Sequence, residues 1–134
     1  MFGALNTSTS GLVAQRTRLD AISANLANAN TITHDGQSNT PYRRRIPILS
    51  PGDPASNERA GVHVRSIRLD PSPFRLKHEP GSPFADSEGY VKYPNIDPIV
   101  EQINAIEVSR SYEANITAAE ATKRMMQVSL DILT

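Results

Sequence analysis

Apolar residues recur at helical spacing at the two ends of the chain and lose that rhythm in between. Leu5, Leu12, Leu19 and Leu26 fall at intervals of seven, with Ile22 and Ala29 filling the three- and four-residue steps. That spacing lines one side of a helix and predicts helix over about residues 3–30. The first third is a poor helix former. Asn6, Thr7, Ser8, Thr9 and Ser10 carry side chains that hydrogen-bond their own backbone, and Gly11 follows, so Ser10 is a candidate N-cap. Asn28, Asn30 and Thr31 then favour a turn. At the far end Ile99, Ile103, Ile106, Tyr112, Ile116, Ala119, Met126, Leu130, Ile132 and Leu133 form the matching stripe. Asp97 can cap that segment, and Pro98 suits the first helical position. Neither Pro nor Gly follows, so a helix of about 36 residues is predicted, ~54 Å long at ~1.5 Å per residue. Length of that order in a small chain points to a bundle or a fibrous assembly. The stripe carries one irregularity: from Ile103 to Tyr112 it advances by three residues three times, which predicts a local register slip.

The middle reads differently. All ten prolines lie between Pro41 and Pro98. Tyr42–Ile46 and Gly61–Leu69 are the strand candidates, the latter because Val62 and Val64 alternate with His63 and Arg65. Ser50-Pro51-Gly52-Asp53-Pro54 between them is a turn signal, so the two form one hairpin. Two strands alone are marginal in water, and the hairpin should lean on a helix or on another subunit. Residues 70–95, rich in Pro and Gly, read as irregular. The expected fold is therefore mainly α. Two long antiparallel terminal helices form a coiled-coil-like core, with a small β-hairpin and an irregular Pro-rich middle. As one domain it divides into a helical assembly segment at 1–30, a hairpin and loop region at 31–95, and a long helix at 96–134 that pairs with the first.

Composition changes this picture in one respect. Of the 134 residues, 38% are hydrophobic and only 5% aromatic, with no Trp. That is thin for a self-sufficient core in a small chain, so a neighbour is expected to complete some apolar stripe. The formal net charge is zero, and nothing global suggests nucleic acid. Residues 96–134 are nevertheless acidic and the two preceding segments slightly basic, which mildly favours pairing one with the other. There is no cysteine. No cleavable signal is visible at the start, and no stretch approaches the ~20 apolar residues of a membrane span.

Candidate chemistry is sparse. His34, His63 and His78 lack zinc-ligand spacing and read as surface residues. The glycines form no phosphate cradle, and no serine sits in a nucleophile motif. Arg43-Arg44-Arg45 could contact phosphate, decorate a strand or meet an acidic neighbour. No enzyme activity and no cofactor are expected.

Two terminal motifs add a resemblance. The run from Ser10 to Thr31, carried by Ser23, Asn25, Leu26, Ala27, Asn28, Ala29, Asn30 and Thr31, resembles the N-terminal motif of flagellar rod, hook and hook-filament proteins. The run from Asn104 to Leu133, carried by Ser109, Arg110, Tyr112, Glu113, Asn115, Lys123 and Met126, resembles the C-terminal motif of the same family. Asp70–Asp97 is similar to the middle of proximal rod subunits. Residues 50–60 match least and read as a variable hairpin tip. After Asn30, Thr31–Gly36 replaces the turn common in the wider family.

The resemblance implies a structural subunit of the proximal rod of the bacterial flagellar basal body. Such subunits assemble helically to transmit motor torque and enclose the export channel. The implied partners are other proximal and distal rod proteins, the membrane-ring adaptor and MS ring region, and copies of the chain. Export would use the flagellar type III apparatus and leave the protein in the periplasmic rod. The candidate subunit-contact residues are Leu5, Leu12, Leu19, Ile22, Leu26, Asn25, Asn28 and Asn30 at one end. At the other they are Ile99, Ile103, Ile106, Tyr112, Ile116, Met126 and Leu130. A helical adaptor or secretion-chaperone-type protein is the alternative reading.

Overall fold

The computed structural model describes residues 2–53 and 58–133. The tip assigned to the hairpin falls partly on residues 54–57, outside that range. Helix α1 spans Phe2–Ala27 and helix α2 spans Pro98–Leu133. Between them lie strands β1 (Arg45–Asp53), β2 (Glu58–Leu69), β3 (Arg75–His78) and β4 (Tyr90–Tyr93). β1 pairs antiparallel with β2, and β3 with β4, as two separate ribbons. The two helices hold 26 and 36 residues and the four strands 9, 12, 4 and 4. The protein is thus a mixture of two terminal helices and two small ribbons, with more strand than the mainly α expectation held.

α1 starts earlier than its hydroxyl-rich tract suggests. Thr7 Oγ1 donates to the Gly3 carbonyl at 2.8 Å, and Ser10 Oγ to that of Thr7 at 2.7 Å. The hydroxyls that could have competed with the helix bond back onto its own carbonyls instead. The tract also has a packing role. Ser10 Oγ accepts the Val62 N–H at 3.1 Å and so pins β2 to α1. Gly61, next to Val62, has φ +92°, and a Cβ there would lie 2.7 Å from Ser10 Oγ. Left-handed backbone and close approach both require glycine. Gly61→Ala should cost about 1–3 kcal/mol from backbone strain alone. A urea titration followed by circular dichroism checks this, and an unchanged midpoint would show that the contact yields.

The ribbon differs from expectation in its turn. β1 runs straight through Pro47 and Pro51, with Ile46 opposite Arg68 and Pro51 opposite Val62. In a two-stranded ribbon each strand has a free edge, so a proline lacking its N–H can sit there. The register shifts after Ile48 and again after Pro51, where Gly52 takes φ +80°. The predicted turn residues therefore make a bulge in a longer strand. The segment read as irregular, residues 70–95, contains the second ribbon, from Arg75 opposite Tyr93 to His78 opposite Tyr90.

α2 begins as expected, with the Ile99 N–H bonded to Asp97 Oδ1 at 2.9 Å. It packs antiparallel to α1. Asn25 meets Glu101, and Gly11 meets Asn115. These contacts are fourteen residues apart on each helix, in opposite directions. Continued in that register, the start of α1 lies beside Arg124, and α2 runs on for about nine residues, or ~13 Å.

The seam is not leucine against isoleucine. On α1 it is Gly11, Ala14, Ala21, Ile22 and Asn25, all buried, while Leu5, Leu12, Leu19 and Leu26 flank it half-buried. A Cβ at Gly11 would come within 2.9 Å of Asn115 Nδ2, so the Asn115 side chain packs directly on the α1 backbone there. On α2 the seam is Glu101, Val108, Tyr112, Asn115, Ala119 and Met126. The register slip now has a physical meaning. Each three-residue step turns the stripe by about −60°, so three steps carry it about halfway round the helix. Ile99, Ile103 and Ile106 therefore face away from α1, and Tyr112 faces toward it.

Candidate functional site

Two features stand out, a buried polar joint and an exposed apolar helix face. The joint forms where α1, α2 and the entry to β1 converge. α1 ends in a turn closed by Asn28, whose Nδ2 donates to the Ala24 carbonyl at 2.9 Å. The chain returns through Tyr42, whose N–H bonds the Thr31 carbonyl at 3.0 Å. Ala29, Tyr42 and Ile96 cluster beneath this return and fix where β1 starts.

Asn25, only 1% exposed, uses its whole amide within the chain. Nδ2 donates to the Arg45 carbonyl at 3.0 Å and to Glu101 Oε2 at 3.1 Å. Oδ1 accepts the Arg45 N–H at 2.8 Å and the Tyr42 hydroxyl at 3.4 Å. Glu101, also 1% exposed, takes Arg44 Nε on Oε1 at 2.6 Å. Arg44 Nη1 lies 3.8 Å from Asp70 Oδ2, which ties in the far end of β2. A buried carboxylate is costly unless it is paired and hydrogen-bonded, and both Glu101 oxygens have partners. Among the described residues no buried side-chain polar atom is left without one. Burial also pushes the Tyr42 hydroxyl above its ordinary pKa, so it stays protonated and donating.

The three consecutive arginines divide their work. Arg43 Nη1 donates to the carbonyls of Asp70 and Ser72 at 2.9 and 3.2 Å and lies over the Phe74 ring at 4.2 Å. Arg44 meets an acidic neighbour, in its own chain. Arg45 contributes its backbone to Asn25 and sets its guanidinium 5.6 Å from the Tyr42 ring centre. Asp70 is held below its ordinary pKa, chiefly by hydrogen bonds from the Ser72 hydroxyl and backbone N–H. At acidic pH the unfolded chain therefore binds the additional proton. Stability present above about pH 4 falls as the pH drops through the carboxylate range. Asp70→Asn should flatten that fall in thermal melts between neutral pH and about pH 3. An unaltered slope would place the acid sensitivity elsewhere.

The exposed face is the first half of the predicted α2 stripe. Ile99, Ile103 and Ile106 are 68%, 59% and 56% exposed. The other contact candidates scatter. Leu130 is exposed, Ile116 sits at the border, and Tyr112 and Met126 are half-buried. Ile22 is buried in the seam. Asn28 is half-buried, with Oδ1 accepting the Thr31 hydroxyl, and Asn30 is exposed. The structure thus brings Ile22 and Asn25 inside, lines up Ile99, Ile103 and Ile106 outside, and leaves the leucines between. Sequence reasoning missed Glu101 and Tyr42 and the contact of Ser10 with β2; for Arg44 an acidic neighbour was one of the three readings, and the structure bears it out. Glu101 carries a local signal, standing seven residues before Val108 on what proves to be the seam, although an acid in a first turn equally suits the helix dipole. Among the described residues no group of side chains could hold a metal, and no helix is long and apolar enough to cross a membrane.

Comparison with known proteins matches the two ends separately. Residues 5–32 match the profile described as "Flagella basal body rod protein". Residues 87–132 match "Flagellar basal body rod FlgEFG protein C-terminal". Over nearly its full length the chain is similar to flagellar basal-body rod protein FlgC of Bacillus subtilis. Identity there is 42%, covering 98% of this chain and 97% of the relative. The corresponding protein of Yersinia enterocolitica is 40% identical over 92% and 90% of the two chains. That of Aquifex aeolicus is 39% identical over 95% and 92%.

Proposed function

The chain belongs to the FlgC family of flagellar basal-body rod proteins and is a structural subunit of the rod, not an enzyme; from that premise we propose how its parts divide the work of assembly. Residues 1–30 and 96–134 form the stiff inner layer, and residues 31–95 form the contact surface that varies among subunits. The observation that supports assembly is the outward row of Ile99, Ile103 and Ile106, which adds a contact face on the helical layer itself. Three large apolar side chains on one exposed helix face mark a surface completed by a neighbour. Copies of the chain, other proximal and distal rod proteins, the membrane-ring adaptor and the MS ring region are the proposed neighbours. The periplasmic rod is the proposed location, reached through the flagellar type III export apparatus.

Stiffness follows from the seam. Small residues on α1 let side chains of α2 pack directly on its backbone, and close-packed interiors resist compression. The joint then carries load from the helix pair into the ribbon. Its buried residues also divide the fold into two parts. Val108 is the last fully buried residue of α2 among those described. The joint and the seam as far as the Gly11–Asn115 contact are the part that folds in the free chain, while the helix ends beyond that contact order on docking. Circular dichroism of the dilute chain should show less helix than the assembled rod, and equal helicity would reject coupled ordering. The function itself is tested by electron microscopy of basal bodies. The tagged chain should decorate the rod, and its deletion should leave basal bodies without one. Complete rods in the deletion strain would overturn the proposal.

A further inference from the structure

Beside the joint lies a cleft of about 140 Å³ lined by Arg18, Ile22, Asn25, Arg44, Arg45, Ile46, Pro47, Glu101 and Asn104. It holds three guanidiniums against one carboxylate. Glu101 is taken by Arg44 and Asn25. Among the described residues Arg18 reaches only the neutral Gln15 amide, at 3.2 Å, and the guanidinium of Arg45 lies over a tyrosine ring. Neither Arg18 nor Arg45 has a carboxylate partner among the described residues. The lining also includes aliphatic side chains, Ile22, Ile46 and Pro47. A cavity of roughly 150 Å³ accommodates a six-carbon ring, so the cleft has room for the end of a glutamate side chain. Paired guanidiniums hold a carboxylate by short charge-assisted hydrogen bonds.

We propose that this cleft receives Glu113 from α2 of a second copy of the chain. Glu113 is exposed and forms no ion pair among the described residues. It stands seven residues after Ile106 on the outward face of α2, with Ile116 three residues further on. Docking its carboxylate between Arg18 and Arg45 brings Ile116, less than one turn on, toward the aliphatic rim of the cleft, and leaves Ile106, ~10 Å away along α2, to pack beside it. The giving and receiving surfaces differ, so the contact is heterologous. Repeated heterologous contacts close into rings or grow into helical arrays, as a rod requires. The proposal rests on the rod-subunit reading and adds to it one partner and one pair of surfaces.

The test is charge reversal, read as copies of the chain in purified basal bodies and as swimming. Arg45→Glu and Glu113→Arg should each cut incorporation at least about tenfold, because like charges then face each other. The double variant Arg45→Glu with Glu113→Arg should restore it. Arg45 bonds Asn25 through its backbone, which the side-chain change keeps, and an unchanged thermal melt checks that losing the guanidinium beside the Tyr42 ring leaves the joint intact. Glu113→Arg, on an exposed face, serves as the independent arm. Normal incorporation of both single variants, or a double variant no better than either, overturns the pairing. A defect in Arg45→Glu with a normal Glu113→Arg overturns the second copy as occupant. Failure of the unaltered chain to enter basal bodies would instead sink the rod reading itself.

Discussion

Glu101→Ala is expected to destabilise the free chain by about 3–5 kcal/mol, the effect of removing one partner from a buried ion pair. The loss is larger than that of a surface pair because Glu101 is almost wholly buried and serves two groups at once. Its removal leaves the Arg44 guanidinium and the Asn25 amide facing a void. A small domain is stable by only about 5–15 kcal/mol, so most of that margin disappears. Asn25→Ala orphans both backbone groups of Arg45, the Tyr42 hydroxyl and one Glu101 oxygen, at about 1–3 kcal/mol for each that water does not reach, so its cost should match or exceed that of Glu101→Ala, and the ribbon should lose its fixed start because the Arg45 backbone loses both bonds. Urea titration of each variant measures this. A shift below about 1 kcal/mol for Glu101→Ala would show that water replaces the lost partners, and the joint would then be no rigid element.

Ile103→Asp is expected to do the reverse, leaving the fold intact and abolishing rod assembly. Ile103 is 59% exposed on the side of α2 away from α1, so in the free chain the change should stay within about 0.5 kcal/mol. In an assembled contact it forfeits the ~1.5–3 kcal/mol of a buried isoleucine and also buries an unpaired carboxylate. Together these reduce incorporation by well over about tenfold. The strain should fail to swim while the purified chain melts as the unaltered one does. Normal swimming would remove this face from the assembly. The same substitution at Ile22, equally apolar but buried in the seam, should instead unfold the chain, and the contrast separates contact residues from core residues.

Both expectations depend on which side of a helix a residue takes, and there the sequence was only partly legible. The helix α2, its Asp97 cap and its first-turn proline follow from local rules, because caps and φ restriction act within a few residues. The antiparallel pair of terminal helices, the ribbon and the terminal family motifs were likewise legible. The seam was not. Periodicity locates an apolar stripe but does not say whether its partner lies in the same molecule. Leu5, Leu12, Leu19 and Leu26 advertised the pairing face more strongly than Gly11, Ala14 and Ala21, yet small residues permit the closer approach and took the seam. The joint was invisible for a similar reason. Its partners, Asn25, Arg44 and Glu101, are separated by 20 to 76 positions in their contacts. Each taken alone resembles a helix-end amide, a strand charge or a dipole-matching acid.

The sequence by itself determined the terminal helices, the proline-confined middle and the family, all written in short-range propensity and in motif. Tertiary structure alone decided that the three steps of three between Ile103 and Tyr112 carry the stripe from the outer face of α2 to the inner one. It also decided that Asn25 serves within the chain, because a buried amide must find partners wherever folding places them.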